Sequence, residues 1–177
     1  DAKNEDFLPI KIIKHPNLNK LIIHKVDLTD YDFPNIFGTH VSEATYYRLF
    51  IQDYIKEDID FITYLDCDAF CINDPIVLIN ENIEKMKSSG FTISSMSEAG
   101  LEHHSNNTLK LNSKSYFNAG VMIIDLNKWK TNDLKNNSLR IIKEDKEKLL
   151  FWDQDVLNLY FDGHYEPLPR SLNFKVD

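Results

Sequence analysis

Two carboxylates one residue apart, Asp66 and Asp68, close an apolar run, Phe61-Ile62-Thr63-Tyr64-Leu65. In extended backbone, residues i and i+2 point to the same side. The spacing therefore predicts that Asp66 and Asp68 converge on one cation while Cys67 points away. Hard oxygen donors suit Mg²⁺ or Mn²⁺ and leave coordination positions for phosphate oxygens. In open α/β sheets, ligands sit at strand ends. The chemistry this pattern points to is a metal-dependent site for a diphosphate compound.

Other side chains fit the same chemistry. Asn118, in Phe117-Asn118-Ala119-Gly120-Val121, carries a donor and an acceptor suited to sugar hydroxyls. The small residues after it let backbone approach a ligand closely; a turn asparagine before a core strand is the plainer reading. Arg48 lies off the apolar stripe of its helix, so it reads either as a solvated arginine or as a phosphate or sugar contact. Asp153 reads as a helix cap, or, with Gln154, as a group facing the crevice. His103 and His104 sit in a polar loop, 97–115, and read as solvated. Cys67 and Cys71 have no zinc-like partners in sequence and read as reduced, packing thiols.

These residues need elements to hold them. Leu21–Val26 reads as a strand. Ser42 can cap a helix to Ile55 with Tyr46, Leu49, Phe50 and Tyr54 inward. The Phe61–Leu65 strand follows, then a helix from Ile76 to Lys87 with Asp74 as cap, Pro75 in its first turn and Gly90 as its stop. Strands are expected at Phe91–Met96, Val121–Leu126 and Leu172–Phe174. Helices are expected over 129–148 and from Phe151, the latter ended by Gly163. Strands alternating with helices argue for α/β, a mixed, mostly parallel sheet with helices on both faces.

The 177 residues suffice for one domain with a substantial core. A net charge of −8 without a basic stretch excludes nucleic acid as the main partner and simple docking on anionic lipid. No apolar run approaches the roughly 18 residues of a membrane span, and no signal peptide is recognised, so a cytoplasmic protein is expected.

Four stretches in order carry a family resemblance. They are Thr45-Tyr46-Tyr47-Arg48-Leu49, Tyr64-Leu65-Asp66-Cys67-Asp68, Phe117-Asn118-Ala119-Gly120-Val121 and Asp153-Gln154-Asp155-Val156-Leu157-Asn158. Over about residues 21–174 the chain resembles glycosyltransferase family 8, with its bacterial lipopolysaccharide galactosyl- and glucosyltransferases and, more distantly, glycogenin. The resemblance implies a GT-A nucleotide-sugar-binding fold, a UDP-hexose donor, a glycan or lipopolysaccharide acceptor, Mn²⁺ (or Mg²⁺) and retention of anomeric configuration. It implies that Asp66 and Asp68 bind the metal, with the Cys67 backbone near the uridine or ribose. Arg48 would contact the donor, Asn118 and Ala119 would line the sugar pocket, and Asp153 and Gln154 would hold the hexose, with Gln154 at the reacting face. Family members also carry a uracil-gripping strand ahead of this region and a His-containing segment after it. Residues 1–177 match neither, so the expectation is a single domain that is the central part of a longer enzyme. Segments outside it would supply any contact with the inner face of the membrane.

The expected reaction is transfer of a hexose from UDP to an acceptor hydroxyl. A cation on Asp66 and Asp68 would stabilise the departing diphosphate. Gln154 is a neutral amide and a weak nucleophile, which favours same-face attack over double displacement. Carboxylates at Asp153 or Asp155 would face the developing positive charge. Two alternatives stand beside this reading. One is a haloacid-dehalogenase-like phosphatase, whose strand also ends in Asp-x-Asp; the other is a non-catalytic nucleotide-sugar-binding module.

Overall fold

The computed structural model describes residues 16, 18–28, 30–34, 43–56 and 58–174. The expected cap Ser42 lies outside them. The chain divides into two units, Asp1–Asp32 and Phe33–Asp177. In the first, the described residues form no helix or strand; a turn closes where Tyr31 N–H donates to Leu28 O at 2.9 Å. The strand expected over Leu21–Val26 is therefore corrected. Leu21, Ile22 and Ile23 are exposed, and no described strand pairs with them. Apolar content does not make a strand without a ladder partner.

The second unit is α/β. A 3₁₀ helix, Glu43–Phe50, runs into α1, Ile51–Tyr54. Next come β1, Phe61–Leu65, and α2, Ile76–Ser89. Asp74 accepts from Ile76 N–H at 3.0 Å, which satisfies one open donor of the first turn. Gly90 ends α2 at φ 79°, the left-handed conformation glycine adopts without cost. Then follow β2, Ile93–Ser97, and β3, Phe117–Asp125. Asp125 caps α3, Leu126–Thr131, by accepting from Lys128 N–H at 3.0 Å. The helices α4, Leu134–Asp145, and α5, Trp152–Phe161, complete the helical layers. A two-residue β4, Glu166–Pro167, and a 3₁₀ turn, Arg170–Leu172, close the unit. That turn stands where a strand was expected near Leu172–Phe174.

The sheet order is β1-β3-β2-β4. It is mixed, as expected, but among the described strands antiparallel pairing predominates. Both β1 and β2 run antiparallel to β3, and only β2 and β4 run parallel. Long connections between strands suggested parallel neighbours, yet these connections bring β3 back between two antiparallel partners. β3 is buried on both faces. Val121 and Ile123 pack with Met86 of α2 and with Leu168, while Met122 and Ile124 point the opposite way and are fully buried too.

The polar stretch 97–115 is not a simple exposed loop. A π-helical turn, His104–Leu109, buries His104, Ser105 and Leu109, and Leu109, Leu111 and Tyr116 form a small apolar cluster with Phe151. The stretch is pinned to the end of α5. Asp162 accepts from the backbone N–H of Asn112 at 3.1 Å and of Ser113 at 2.9 Å. Next to it, Gly163 holds φ 83°, and a Cβ there would lie 2.4 Å from Ser113 Cβ. Gly163→Ala should cost about 2 kcal/mol, from left-handed strain plus this clash. Urea unfolding at neutral pH would measure it; a midpoint equal to the parent's would contradict the tight packing of this loop. No helix among the described residues is long and apolar enough to cross a membrane.

Candidate functional site

The site forms where β3 departs from regular pairing. Ser95 faces Met122, but the next residue, Met96, faces Asn118, so Ala119, Gly120 and Val121 bulge out of the β2 ladder. Bulges of this kind re-aim backbone and side chains and gather at active sites. A bulge also frees peptide groups that must find other partners. Here three side chains and one backbone N–H of the sequence motifs take them. Ala119 N–H donates to Gln154 Oε1 at 2.9 Å, and Ala119 O accepts from Arg48 Nη1. Gly120 N–H donates to Asn118 Oδ1 at 2.9 Å, and Gly120 O accepts from Asp66 N–H at 2.8 Å. The site is tight at Gly120, where a Cβ would stand 3.0 Å from Asn118 Oδ1 and 3.1 Å from Asp66 Oδ2, so a larger residue would push on both side chains.

Arg48 is the centre of the cluster. The solvated reading is overturned: it is 7% exposed. Its Nη2 pairs with Asp66 Oδ1 at 2.8 Å, its Nε with Asp153 Oδ2 at 2.7 Å, and its guanidinium lies 4.4 Å from the Tyr64 ring centroid. The tight 3₁₀ winding of Glu43–Phe50 departs from the α-helical period on which the stripe was drawn, and Arg48 faces inward with Tyr46 and Leu49. Thr45, one 3₁₀ turn earlier, donates its hydroxyl to Asp153 Oδ1.

Asp153 does not stand at the N-cap of α5, which is Phe151; it lies in the first turn, buried under Arg48 and Thr45. Burial pushes its carboxyl up to about 6 from 3.8, although Arg48 and the Thr45 hydroxyl pull it down. Desolvation outweighs the ion pair. Gln154 is half-buried with both ends of its amide engaged, Oε1 with Ala119 N–H and Nε2 with the Tyr116 hydroxyl at 3.1 Å. Asn158, one turn on, docks its amide on the backbone of Phe117 at 2.8 and 2.9 Å, which fixes α5 against the start of β3.

The acidic pair differs from the extended geometry expected of it. β1 ends at Leu65, and Cys67 and Asp68 lie in a turn where Ala69 N–H donates to Asp66 O at 3.1 Å. Asp66 Oδ1 accepts from Arg48 and from the Tyr64 hydroxyl at 2.7 Å, leaving Oδ2 beside Gly120. Asp68 is exposed. Among the described residues no group of three or more His, Cys, Asp or Glu side chains is gathered for a metal. The donor set still suits a hard cation that takes its remaining oxygens from a bound diphosphate. Cys67 and Cys71 are free, as expected, but exposed rather than packed. Asn118 is held by Glu98, Gly120 and Asn173.

Sequence reading missed Thr45, Tyr64, Tyr116 and Glu98 as partners. Tyr64 had a signal, since it stands two residues before Asp66 on one strand face. His104, read as solvated, is buried and bonded through Nε2 to Asp155 Oδ1 at 2.8 Å.

The family description Glycosyl transferase family 8 matches residues 3–177. General stress protein A of Bacillus subtilis is 32% identical over 150 residues, 82% of this chain and 50% of that protein. A lipopolysaccharide 1,2-glucosyltransferase of Escherichia coli is 33% identical over 135 residues, 73% of this chain and 38% of that protein. Among solved structures, the galactosyltransferase LgtC in complex with donor and acceptor sugar analogs is similar, with a TM-score of 0.65 and 28% identity over 76% of this chain and 47% of that one. The chain thus spans half or less of the length of these relatives.

Proposed function

The chain belongs to glycosyl transferase family 8, and from that premise we propose that it transfers a hexose from a UDP-sugar to a hydroxyl of a glycan acceptor. UDP-glucose or UDP-galactose is the proposed donor and a lipopolysaccharide-type glycan the proposed acceptor, in keeping with the relatives' glucosyl- and galactosyltransferase names. Such an acceptor places the reaction on the cytoplasmic side, at the inner face of the membrane. The observation that carries the reading is the β3 bulge, whose peptide groups are held by Arg48, Asp66, Asn118 and Gln154 from four separate motifs. The family match sets the phosphatase alternative aside.

In this mechanism Asp66 and Asp68 hold a divalent cation, Mn²⁺ or Mg²⁺, which supplies charge neutralisation for the diphosphate when bound. The Cys67 backbone lies against the nucleotide. Asn118 and Ala119 line the sugar pocket, and Asp153 and Gln154 hold the hexose, with Gln154 at the reacting face. Arg48 keeps Asp66 and Asp153 at fixed separation, so the acidic turn and the start of α5 meet the two ends of one donor. The Gln154 amide is held by the Ala119 N–H and the Tyr116 hydroxyl and is not a carboxylate, so it orients the sugar rather than forming a bond to it. Attack on the leaving-group face, with the phosphate taking the acceptor's proton, gives retention.

Titration of UDP-glucose and UDP-galactose with and without Mn²⁺ tests the reading. Asp68→Asn should weaken Mn²⁺-dependent binding by at least ~10-fold, the loss of one charge-assisted ligand. Its thermal midpoint should hold, because Asp68 is exposed. Metal-dependent binding that is undiminished in Asp68→Asn would refute the ligand assignment. Binding without transfer to any glycan would favour the non-catalytic module.

A further inference from the structure

Asp155 is fully buried, and nothing in the proposed reaction uses it. Four donors converge on its carboxylate. Oδ2 accepts from Leu150 N–H at 2.7 Å and Phe151 N–H at 2.8 Å. Oδ1 accepts from the Tyr116 hydroxyl at 2.6 Å and from His104 Nε2 at 2.8 Å. The other imidazole nitrogen, Nδ1, is buried and makes no hydrogen bond among the described residues, so the ring proton belongs on Nε2, facing the carboxylate. Tyr116 and Phe151 box the imidazole edge to face, with ring centroids 5.9 and 5.2 Å away.

The two halves of this carboxylate act on the same neighbour. Through Oδ2 it clamps the turn that leads into Trp152, which stands at φ 47°. A bulky aromatic residue at positive φ is rare and persists only where surroundings over-determine it. Trp152 opens α5 and sets the direction of Asp153 and Gln154. Through Oδ1, Asp155 accepts the hydrogen bond of the Tyr116 hydroxyl, which leaves the phenolic oxygen only lone pairs to offer Gln154. The Gln154 amide must then present Nε2–H to Tyr116 and Oε1 to Ala119 N–H. A flipped amide would place two acceptors together at Tyr116 and two donors together at Ala119.

We propose that Asp155 is a positioning residue that, through Tyr116, fixes which way the Gln154 amide faces the sugar, with His104 completing the set of four donors that holds the Asp155 side chain in place. This rests on the hexosyltransferase reading for its effect on turnover, but not for the geometry itself. Asp155 is not a nucleophile in this arrangement, since both oxygens are saturated and sealed from solvent.

The informative variant is Tyr116→Phe, which keeps the ring and three of the four donors on Asp155. Three readouts follow: the Gln154 side-chain amide ¹⁵N–¹H resonances, the kcat and donor KM, and the double variant with Gln154→Ala. The expected result is that Tyr116→Phe exchange-broadens or shifts the Gln154 amide pair, lowers kcat roughly 10-fold and leaves donor KM within about twofold. In the Gln154→Ala background, Tyr116→Phe should change kcat less than about twofold, because the two act as one unit. An unchanged amide resonance, fully additive losses, or a sugar recovered covalently on Asp155 during turnover would each overturn the proposal. If the parent protein transfers no hexose, the transferase reading fails, and the amide resonances alone decide the positioning role.

Discussion

Arg48→Leu should destabilise the protein by about 3–5 kcal/mol and lower hexose transfer about a hundredfold. Removing one member of a buried ion cluster leaves the others charged without compensation, and here two carboxylates lose one partner. The Ala119 carbonyl loses its donor as well, on a bulge with no ladder bond to fall back on. The cost should depend on pH. In the variant, Asp153 loses the cation that pulls its carboxyl down, so its midpoint should climb above the present value of about 6. At pH 5 the carboxyl is largely neutral in parent and variant and the loss is smaller; at pH 8 the parent's carboxylate is charged and paired, so the variant must bury an unpaired charge or take up a proton, and the loss is larger. Arg48→Lys should recover only part, since an ammonium cannot reach Asp66, Asp153 and Ala119 together in a planar fork. Urea unfolding of the parent and both variants at these two pH values measures all of this. A leucine variant as stable as the parent at pH 8 would mean that the cluster is not a buried one.

The second large effect is the parent's own pH dependence. Asp153 is raised from 3.8 to about 6, first by burial. The folded protein therefore holds this proton more tightly than the unfolded chain does. Below pH 3.8 the group is protonated in both states and its contribution to stability is fully present. As pH rises through about 6 the buried carboxyl must ionise, and that contribution is lost. The shift corresponds to about 3 kcal/mol. The direction is opposite to that of a carboxylate whose salt bridge dominates, because desolvation here exceeds what Arg48 returns. Other groups titrate over the same range, so the measured quantity is the stability difference between the parent and Asp153→Asn from pH 4 to pH 7. The parent should lose about 2 kcal/mol relative to the asparagine variant over that span. A difference that is flat with pH, or that grows in the parent's favour, would show that the ion pair wins. The same ionisation should appear as an acid limb near pH 6 in transfer activity, since a charged Asp153 is what Arg48 is placed to hold.

The sequence alone determined the chemistry-bearing stretches and most of the elements that carry them. Asp66, Arg48, Asn118, Ala119 and Gln154 stand within about one turn or strand of the motifs that named them, and they do meet. The stops at Gly90 and Gly163, the start at Asp74 and the central strand through Val121–Asp125 were legible because they depend on neighbours a few residues away. Local periodicity could not carry the rest. Arg48 finds Ala119 71 residues downstream, and His104 finds Asp155 51 residues downstream. Polar side chains that look solvated in sequence are buried when distant partners satisfy them, and no pattern of local spacing encodes that. The same holds for backbone. Asn-Ala-Gly announced close approach, but only pairing with β2 turns it into a bulge, and only the bulge frees the peptide groups that gather the site. The residue pattern fixed which groups are available; three-dimensional packing decided which are charged, which are sealed from water and which way each one faces.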